Sequence, residues 1–270
     1  MTDSKEQKIV VYTELKETDQ NLILHGLKLA AIFKKELCLL YNYHPKQKKQ
    51  RDELKEKLQK YAAIVKQEMP EQKVSTLLTS ESQTELPDLL AIDYEAIMIV
   101  LNSLNFKRYS TALAETSIPF LFVHPESKIT DYNHLVQPID LRKEISDSSL
   151  WCSYFGRFYG AQIVTIAARD KTQEAKNKVY KNTALTRKLY KKFKITHKCF
   201  KGSKSSLRNV FEALELALAS DCNLLVILGS SSITPLDLLV GLPERKIINH
   251  AGKLPVMVIN PRKDNYILCD

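Results

Sequence analysis

A chain of 270 residues and 30.9 kDa with 44% hydrophobic and 26% charged residues has apolar material for one or two cores, which excludes disorder and a collagen-like architecture. Seven Gly and ten Pro are too few for a low-complexity linker, and no apolar run approaches the ~20 residues needed to span a bilayer, so no membrane association is expected. The net charge of +9 is lopsided: residues 1–133 hold 18 Lys+Arg against 19 Asp+Glu, residues 134–270 hold 22 against 12, and Arg169–Arg208 alone carries fourteen basic residues against Asp170 and Glu174.

The segment Met1–Lys8 is polar and mixed in charge and lacks the apolar stretch of a secretory signal, so a cytoplasmic protein is expected. Lys8–Leu15 reads as a first buried strand. Leu22, Ile23, Leu27, Ala30, Ala31 and Phe33 then recur at helical spacing, Glu36–Tyr43 is a strand, and Leu54, Leu58, Tyr61, Ile64 and Val65 mark a second, charged helix. Ile97–Leu101 and the Pro-flanked Ile118–Pro125 are apolar throughout, the pattern of strands covered on both faces. From residue 131 the order starts again. It runs through strand His134–Leu141, an aromatic-rich helix with Leu150, Trp151, Tyr154, Phe155 and Phe158, and strand Ala161–Ala168. A basic helix with Val179, Leu185, Leu189 and Phe193 follows, then a helix through Leu207, Val210, Leu214, Leu216 and Leu218, and strands Leu224–Leu228 and Leu254–Pro261.

The second run repeats the first. Ile118–Pro125 matches Leu254–Pro261 in apolar pattern and in both prolines at a shift of 136 residues, and the earlier strands match at shifts of 125 to 127. The repeat sets two domains, 1–130 and 131–270, each a small, doubly wound α/β unit with a parallel sheet. Pro119–Val123 and Pro255–Ile259 are expected side by side across a pseudo-two-fold axis, each covering the other's edge, which makes the single chain an internal domain pair. Gly26, Gly156 and Gly160 fall within or at the ends of the first helices, where close approach of helix and sheet is expected.

Five cysteines, at 38, 152, 199, 222 and 269, are odd in number and scattered, and six histidines show no metal-ligand spacing, so neither a disulfide framework nor a metal is assigned. In an open parallel sheet a ligand lies beyond the carboxyl ends of the strands where their order reverses, with phosphates on backbone N–H groups. In the second domain those places are Pro138–Leu141 and Leu228-Gly-Ser-Ser-Ser-Ile-Thr-Pro235. The candidate nucleotide-site residues are therefore Asp140, Gly229, Ser230, Ser231 and Ser232.

At these residues a family resemblance emerges. Gln137-Pro-Ile-Asp140, Ala219-Ser-Asp-Cys-Asn-Leu-Leu-Val-Ile-Leu-Gly-Ser230 and Asn249-His-Ala-Gly-Lys-Leu-Pro-Val-Met-Val-Ile259 resemble a universal stress protein domain, and the whole chain resembles the tandem members of that family. The resemblance implies Rossmann-like sheets of five parallel strands, pairing through the last strand and a role in stress response. ATP-binding members carry Gly-x-x-Gly, nine residues, then Gly-Ser or Gly-Thr. Here Ser232 stands at the second glycine and Leu242-Pro243 at the closing pair, and Pro243 has no N–H to offer a phosphate. Asp140 matches the acidic residue that the family places at the adenosine pocket; as a strand-ending, helix-capping residue it reads equally well. The first domain departs further: Asn102-Ser-Leu-Asn105 replaces the loop, Thr13 or Glu14 takes the acidic position, and no nucleotide is expected there.

Three functional readings follow. The leading one is a non-catalytic stress-response or regulatory protein acting on an unknown protein partner, with weak or absent ATP binding in the second domain; a homodimer of chains is compatible with the family. The second is an ATP-binding regulatory protein using the second-domain loop, with weak ATPase activity left open. The third is an anion- or nucleic-acid-binding module using residues 169–208, where the lack of any nucleic-acid motif favours a solvated helix face. Neither a full phosphate-binding Walker motif nor Gly-x-Ser-x-Gly is present, which argues against an enzyme.

Overall fold

Strands that are apolar at every position need cover on both faces, and in this chain helices alternate with strands to supply it. The computed structural model describes residues 6–110, 112–114, 116–129, 131–230 and 242–260. The chain divides into two compact units after Ile129.

Unit 1 runs β1 (Lys8–Tyr12), α1 (Asp19–Phe33), β2 (Glu36–Asn42), α2 (Arg51–Glu68), β3 (Val74–Thr79), α3 (Leu86–Asp93), β4 (Ala96–Asn102), α4 (Phe106–Tyr109) and β5 (Phe120–Val123). Its strands are ordered β3-β2-β1-β4-β5 and pair in parallel. Unit 2 runs β6 (His134–Ile139), α5 (Ile145–Tyr159), β7 (Gln162–Ala167), α6 (Gln173–Lys192), β8 (His197–Lys201), α7 (Asn209–Leu218), β9 (Leu224–Leu228), α8 (Pro243–Ala251) and β10 (Val256–Ile259). Its order is β8-β7-β6-β9-β10, again parallel. The chain is thus two tandem Rossmann-like, doubly wound domains of five parallel strands each. In both, strand order reverses beside the first strand, which puts the ligand crevice of this fold between β1 and β4 and between β6 and β9.

The unit 2 crevice is opened by its own sequence. Successive residues of β6 turn their backbones alternately to the two neighbours: Asn133 and Ile139 carbonyls accept from β7, and the His134 carbonyl accepts from Asn223 at the β9 side. Pro138 therefore faces β9, and it has no N–H to give. The ladder to β7 covers all of β6, whereas the ladder to β9 stops after Val136–Leu225. In unit 1, with no proline, β1 stays paired to β4 through Val11–Val100.

Strands β3 and β8 and helices α3 and α8 had no individual signal in the hydrophobic pattern. β3 and β8 end their sheets, and their half-exposed residues, Val-Ser-Thr-Leu-Leu-Thr and His-Lys-Cys-Phe-Lys, lack the continuous apolar run of central strands. In α6 the buried seam is Val179, Thr183, Thr186 and Tyr190, and Leu185, expected inside, is 53% exposed. Gly26 does allow close approach, since a Cβ there would run into Val11 of β1. Gly156 does so against Ile195, which follows α6 and is not in a strand. Gly160 has a different role: with φ +69° it is the left-handed C-cap of α5, and nothing lies near the position of its missing Cβ.

Candidate functional site

Each residue of Gln137-Pro-Ile-Asp140 has a distinct structural task. Gln137 is fully buried: its amide donates to Ser148 Oγ (2.9 Å) and Ser149 Oγ (3.0 Å) of α5, and its carbonyl accepts from the Tyr190 hydroxyl of α6 (2.6 Å). This network ties both helices to β6. Pro138 ends the ladder to β9. Asp140 emerges at the crevice mouth, itself buried.

The Asp140 carboxylate is already engaged. Oδ1 accepts the Arg142 backbone N–H (2.8 Å), and Oδ2 accepts Arg142 Nε (2.9 Å) and Nη2 (2.6 Å). Arg142 Nη1 crosses the crevice to the carbonyls of Leu228 (3.4 Å) and Gly229 (3.1 Å) at the end of β9. The guanidinium thus spans the gap that Pro138 opens, with four of its hydrogen bonds spent on the two walls. Asn182 of α6 fixes the loop by donating to the carbonyls of Asp140 (2.8 Å) and Arg142 (2.7 Å), and buried Asn209 of α7 does the same for the strand ends at Ile139 (3.0 Å) and Ile166 (2.9 Å).

On the β9 side the Gly229 N–H donates to Ile259 O (2.8 Å), and a Cβ at Gly229 would lie 2.9 Å from Asn260 Oδ1, so glycine there serves close packing onto the end of β10. Ser230 points its N–H (2.6 Å) and hydroxyl (2.8 Å) at one oxygen, Oε1 of Glu244, in the first turn of α8. Glu244 is buried, and its Oε2 has no hydrogen-bond partner among the described residues. The donors expected to meet a phosphate therefore meet a carboxylate from the same chain, at a helix N-terminus where negative charge is favoured. Pro243 is the first residue of α8, a position that needs no N–H. Ser231 and Ser232 lie outside the described residues. Arg142 and Glu244 were missed by sequence reasoning, because nothing in their local spacing points to a partner across the sheet.

In unit 1, Lys8 pairs with Glu36 as His134 pairs with Gln162, and the Gln7 carbonyl accepts from Glu36 as that of Asn133 does from Gln162, so Glu14, and not Thr13, is the counterpart of Asp140. Thr13 is buried and donates its hydroxyl to Leu40 O (2.9 Å). Around the end of β1, Arg108 of α4 lies 5.2 Å over the Tyr12 ring and donates to its hydroxyl (2.9 Å), Tyr109 packs edge-on against Tyr12 at 5.2 Å, and Glu14 accepts from Asn105 and Lys16.

Burial pushes the thiols of Cys38 and Cys222 up to about 11 and that of Cys152 up to about 12, which keeps them protonated and poorly nucleophilic at neutral pH. Among the described residues no group of His, Cys, Asp or Glu is placed to hold a metal ion, and no helix is long and apolar enough to cross a membrane. The basic stretch spans the loop after β7, α6, β8 and the approach to α7, beside a groove of about 1130 Å³.

These features define a class: a tandem doubly wound α/β protein whose second switch-point crevice is bridged by its own arginine, with a glutamate of the same chain on the Ser230 donors beside it. No family model matches the chain, and no curated protein matches its sequence. Among solved structures it is similar to a universal stress protein from Archaeoglobus fulgidus DSM 4304, at 12% identity and a TM-score of 0.68 over 96% of this chain and 97% of that one. A universal stress protein in complex with cAMP aligns with 46% of this chain over its full length, at 14% identity and a TM-score of 0.35. The chain has the fold of a tandem universal stress protein.

Proposed function

We propose that this chain is a non-catalytic regulatory protein of universal stress type, which acts through protein interaction and binds ATP weakly or not at all in unit 2. One observation carries the reading: the two groups a nucleotide would use, the Asp140 carboxylate and the Ser230 N–H and hydroxyl, are held by Arg142 and Glu244. The fold supports it, and the buried thiols of Cys38 and Cys152, which burial keeps protonated, add no reactive group. Melting the purified chain with and without millimolar ATP and magnesium tests it. No rise in Tm is expected; a ligand at a hundredfold excess over its Kd would add about 2.7 kcal/mol and a clear upward shift, and that result would refute the reading.

A further inference from the structure

Nine of the fourteen cations of residues 169–208 line concavities of unit 2 along α6, β8 and the segments that follow β7 and β8. Three concavities join end to end there as a trough. One of about 640 Å³, by Lys191 and Lys194, shares Arg187 and Cys199 with the 1130 Å³ groove, and that groove shares Arg169 and Ser203 with a third of about 500 Å³. Arg169, Lys176, Arg187, Lys191, Lys194 and Lys201 are exposed, and among the described residues none of them is in an ion pair. The acids that line the groove with them, Asp170 and Glu212, are held by neutral donors and form no ion pair with them among the described residues. Asp170 accepts from the Ser206 N–H and hydroxyl, and Glu212 accepts from the N–H and hydroxyl of Ser203 (2.7 Å each) and the Lys204 N–H (3.1 Å). Tyr180, 76% exposed, stands beside this row of charge with buried Val179 as an apolar floor.

The trough also contains a free strand edge. β8 has a strand on one side only among the described residues. Ile163 N–H bonds to Thr196 O and Gly202 N–H to Ala167 O, so the alternate backbone groups, those of His197, Cys199 and Lys201, face away from β7. Those three residues line the concavities.

We propose that this trough is the docking site for an extended, acidic segment of a partner protein, which adds to β8 as a further strand while its carboxylates meet the cations. The proposal rests on the reading that the chain acts by protein interaction, and it names the chemistry of the partner. Charge complementarity selects the occupant. Lysines along an edge strand repel another copy of the same basic edge, and an acidic strand turns that repulsion into attraction. The edge offers carbonyls as well as N–H groups. A peptide satisfies both, whereas nucleic-acid phosphates only accept and would leave the three carbonyls unpaired.

The test uses the full chain and a short fluorescein-labelled peptide of alternating Glu and Val, with binding read by anisotropy. Expected are binding by the wild type, a loss of about tenfold or more on raising salt, and a similar loss in the Arg187→Glu, Lys191→Glu, Lys194→Glu triple variant with unchanged far-UV circular dichroism. N-methylating alternate residues of the peptide, in either register, leaves its charge and the protein intact and should weaken binding by about tenfold or more. No binding by the wild type, or equal binding of the N-methylated peptides, overturns the proposal. Tighter binding of a labelled oligothymidylate of equal charge also overturns it and assigns the trough to nucleic acid. An ATP-induced rise in Tm sinks the nucleotide-free reading of the crevice whatever the peptide does; a peptide that fails while ATP also has no effect sinks the docking site alone.

Discussion

Replacing Arg142 with Met removes the guanidinium from the unit 2 crevice and keeps an apolar stem. The Asp140 side chain is 7% exposed and that of Arg142 35%, so the pair lies between two well-characterised limits. Losing one member of a fully buried pair costs about 3–5 kcal/mol, and an exposed pair contributes about 0–1 kcal/mol. With Asp140 left with the Arg142 N–H alone, Arg142→Met should cost unit 2 about 2 kcal/mol. Asp140→Asn should cost about 1 kcal/mol, because a guanidinium one-third exposed reaches water and keeps the Leu228 and Gly229 carbonyls. If the two act as one unit, the double variant costs no more than Arg142→Met, a coupling of about 1 kcal/mol. Urea unfolding followed by the fluorescence of Trp151, the chain's one tryptophan, buried in α5, reads these differences. Additive losses, with coupling under about 0.3 kcal/mol, would show that Arg142 is a surface ornament and that the crevice is not bridged.

Glu244→Gln keeps an oxygen for Ser230 and removes a buried charge, so it should change stability by under about 1 kcal/mol, whereas Glu244→Ala orphans the Ser230 N–H and should cost about 1–3 kcal/mol; equal losses in urea melts would contradict the bond. His25 is fully buried in α1, and desolvation, outweighing a hydrogen bond with the Ser127 backbone, lowers its pKa from 6.5 to about 4. The unfolded chain binds that proton more readily, so His25 contributes fully above pH 6.5 and its contribution is lost as pH falls toward 4, about 3 kcal/mol in all. Wild type should therefore lose stability against His25→Gln between pH 7.5 and 4.5, and parallel urea midpoints across that range would refute it. Gly26→Ala should cost about 1–3 kcal/mol through the clash with Val11 and recover in part with Val11→Ala, measured by the same unfolding; a neutral Gly26→Ala would mean that α1 sits farther from β1.

The duplicated topology was legible because buried parallel strands are mostly apolar: β4 and β9 announce themselves by continuous apolar runs, β1 by Ile9–Tyr12 after Lys8, and β6 by a shorter run broken by Gln137 and Pro138. The edge strands β3 and β8 satisfy a weaker constraint, one face half in water, and their sequences do not separate from loops. The same logic divides the site. Asp140, Gly229 and Ser230 were recognisable from their places at strand ends. Their actual partners were not, since Ser230 and Glu244 meet only once α8 has packed at the end of β9, and Arg142 reaches the Leu228 and Gly229 carbonyls across the sheet. The one local clue was Pro138: a proline inside a central strand forces a gap in the ladder, and a gap at the switch point has to be filled by something.

What fills it decides what can enter. A phosphate approaching Ser230 would have to displace the Glu244 carboxylate or settle beside it, and one unit of like charge at 4 Å costs about 4 kcal/mol at an effective dielectric of 20. That is a factor of about a thousand in affinity for each such pair of charges. The crevice could recover the lost affinity through Arg142, but its guanidinium is bonded to Asp140, and freeing it leaves a buried carboxylate and two strand-end carbonyls without it. Both donors that could favour an anion are thus held by acids the chain itself provides, whereas Arg187, Lys191, Lys194 and Lys201 along α6 and β8 form no ion pair among the described residues.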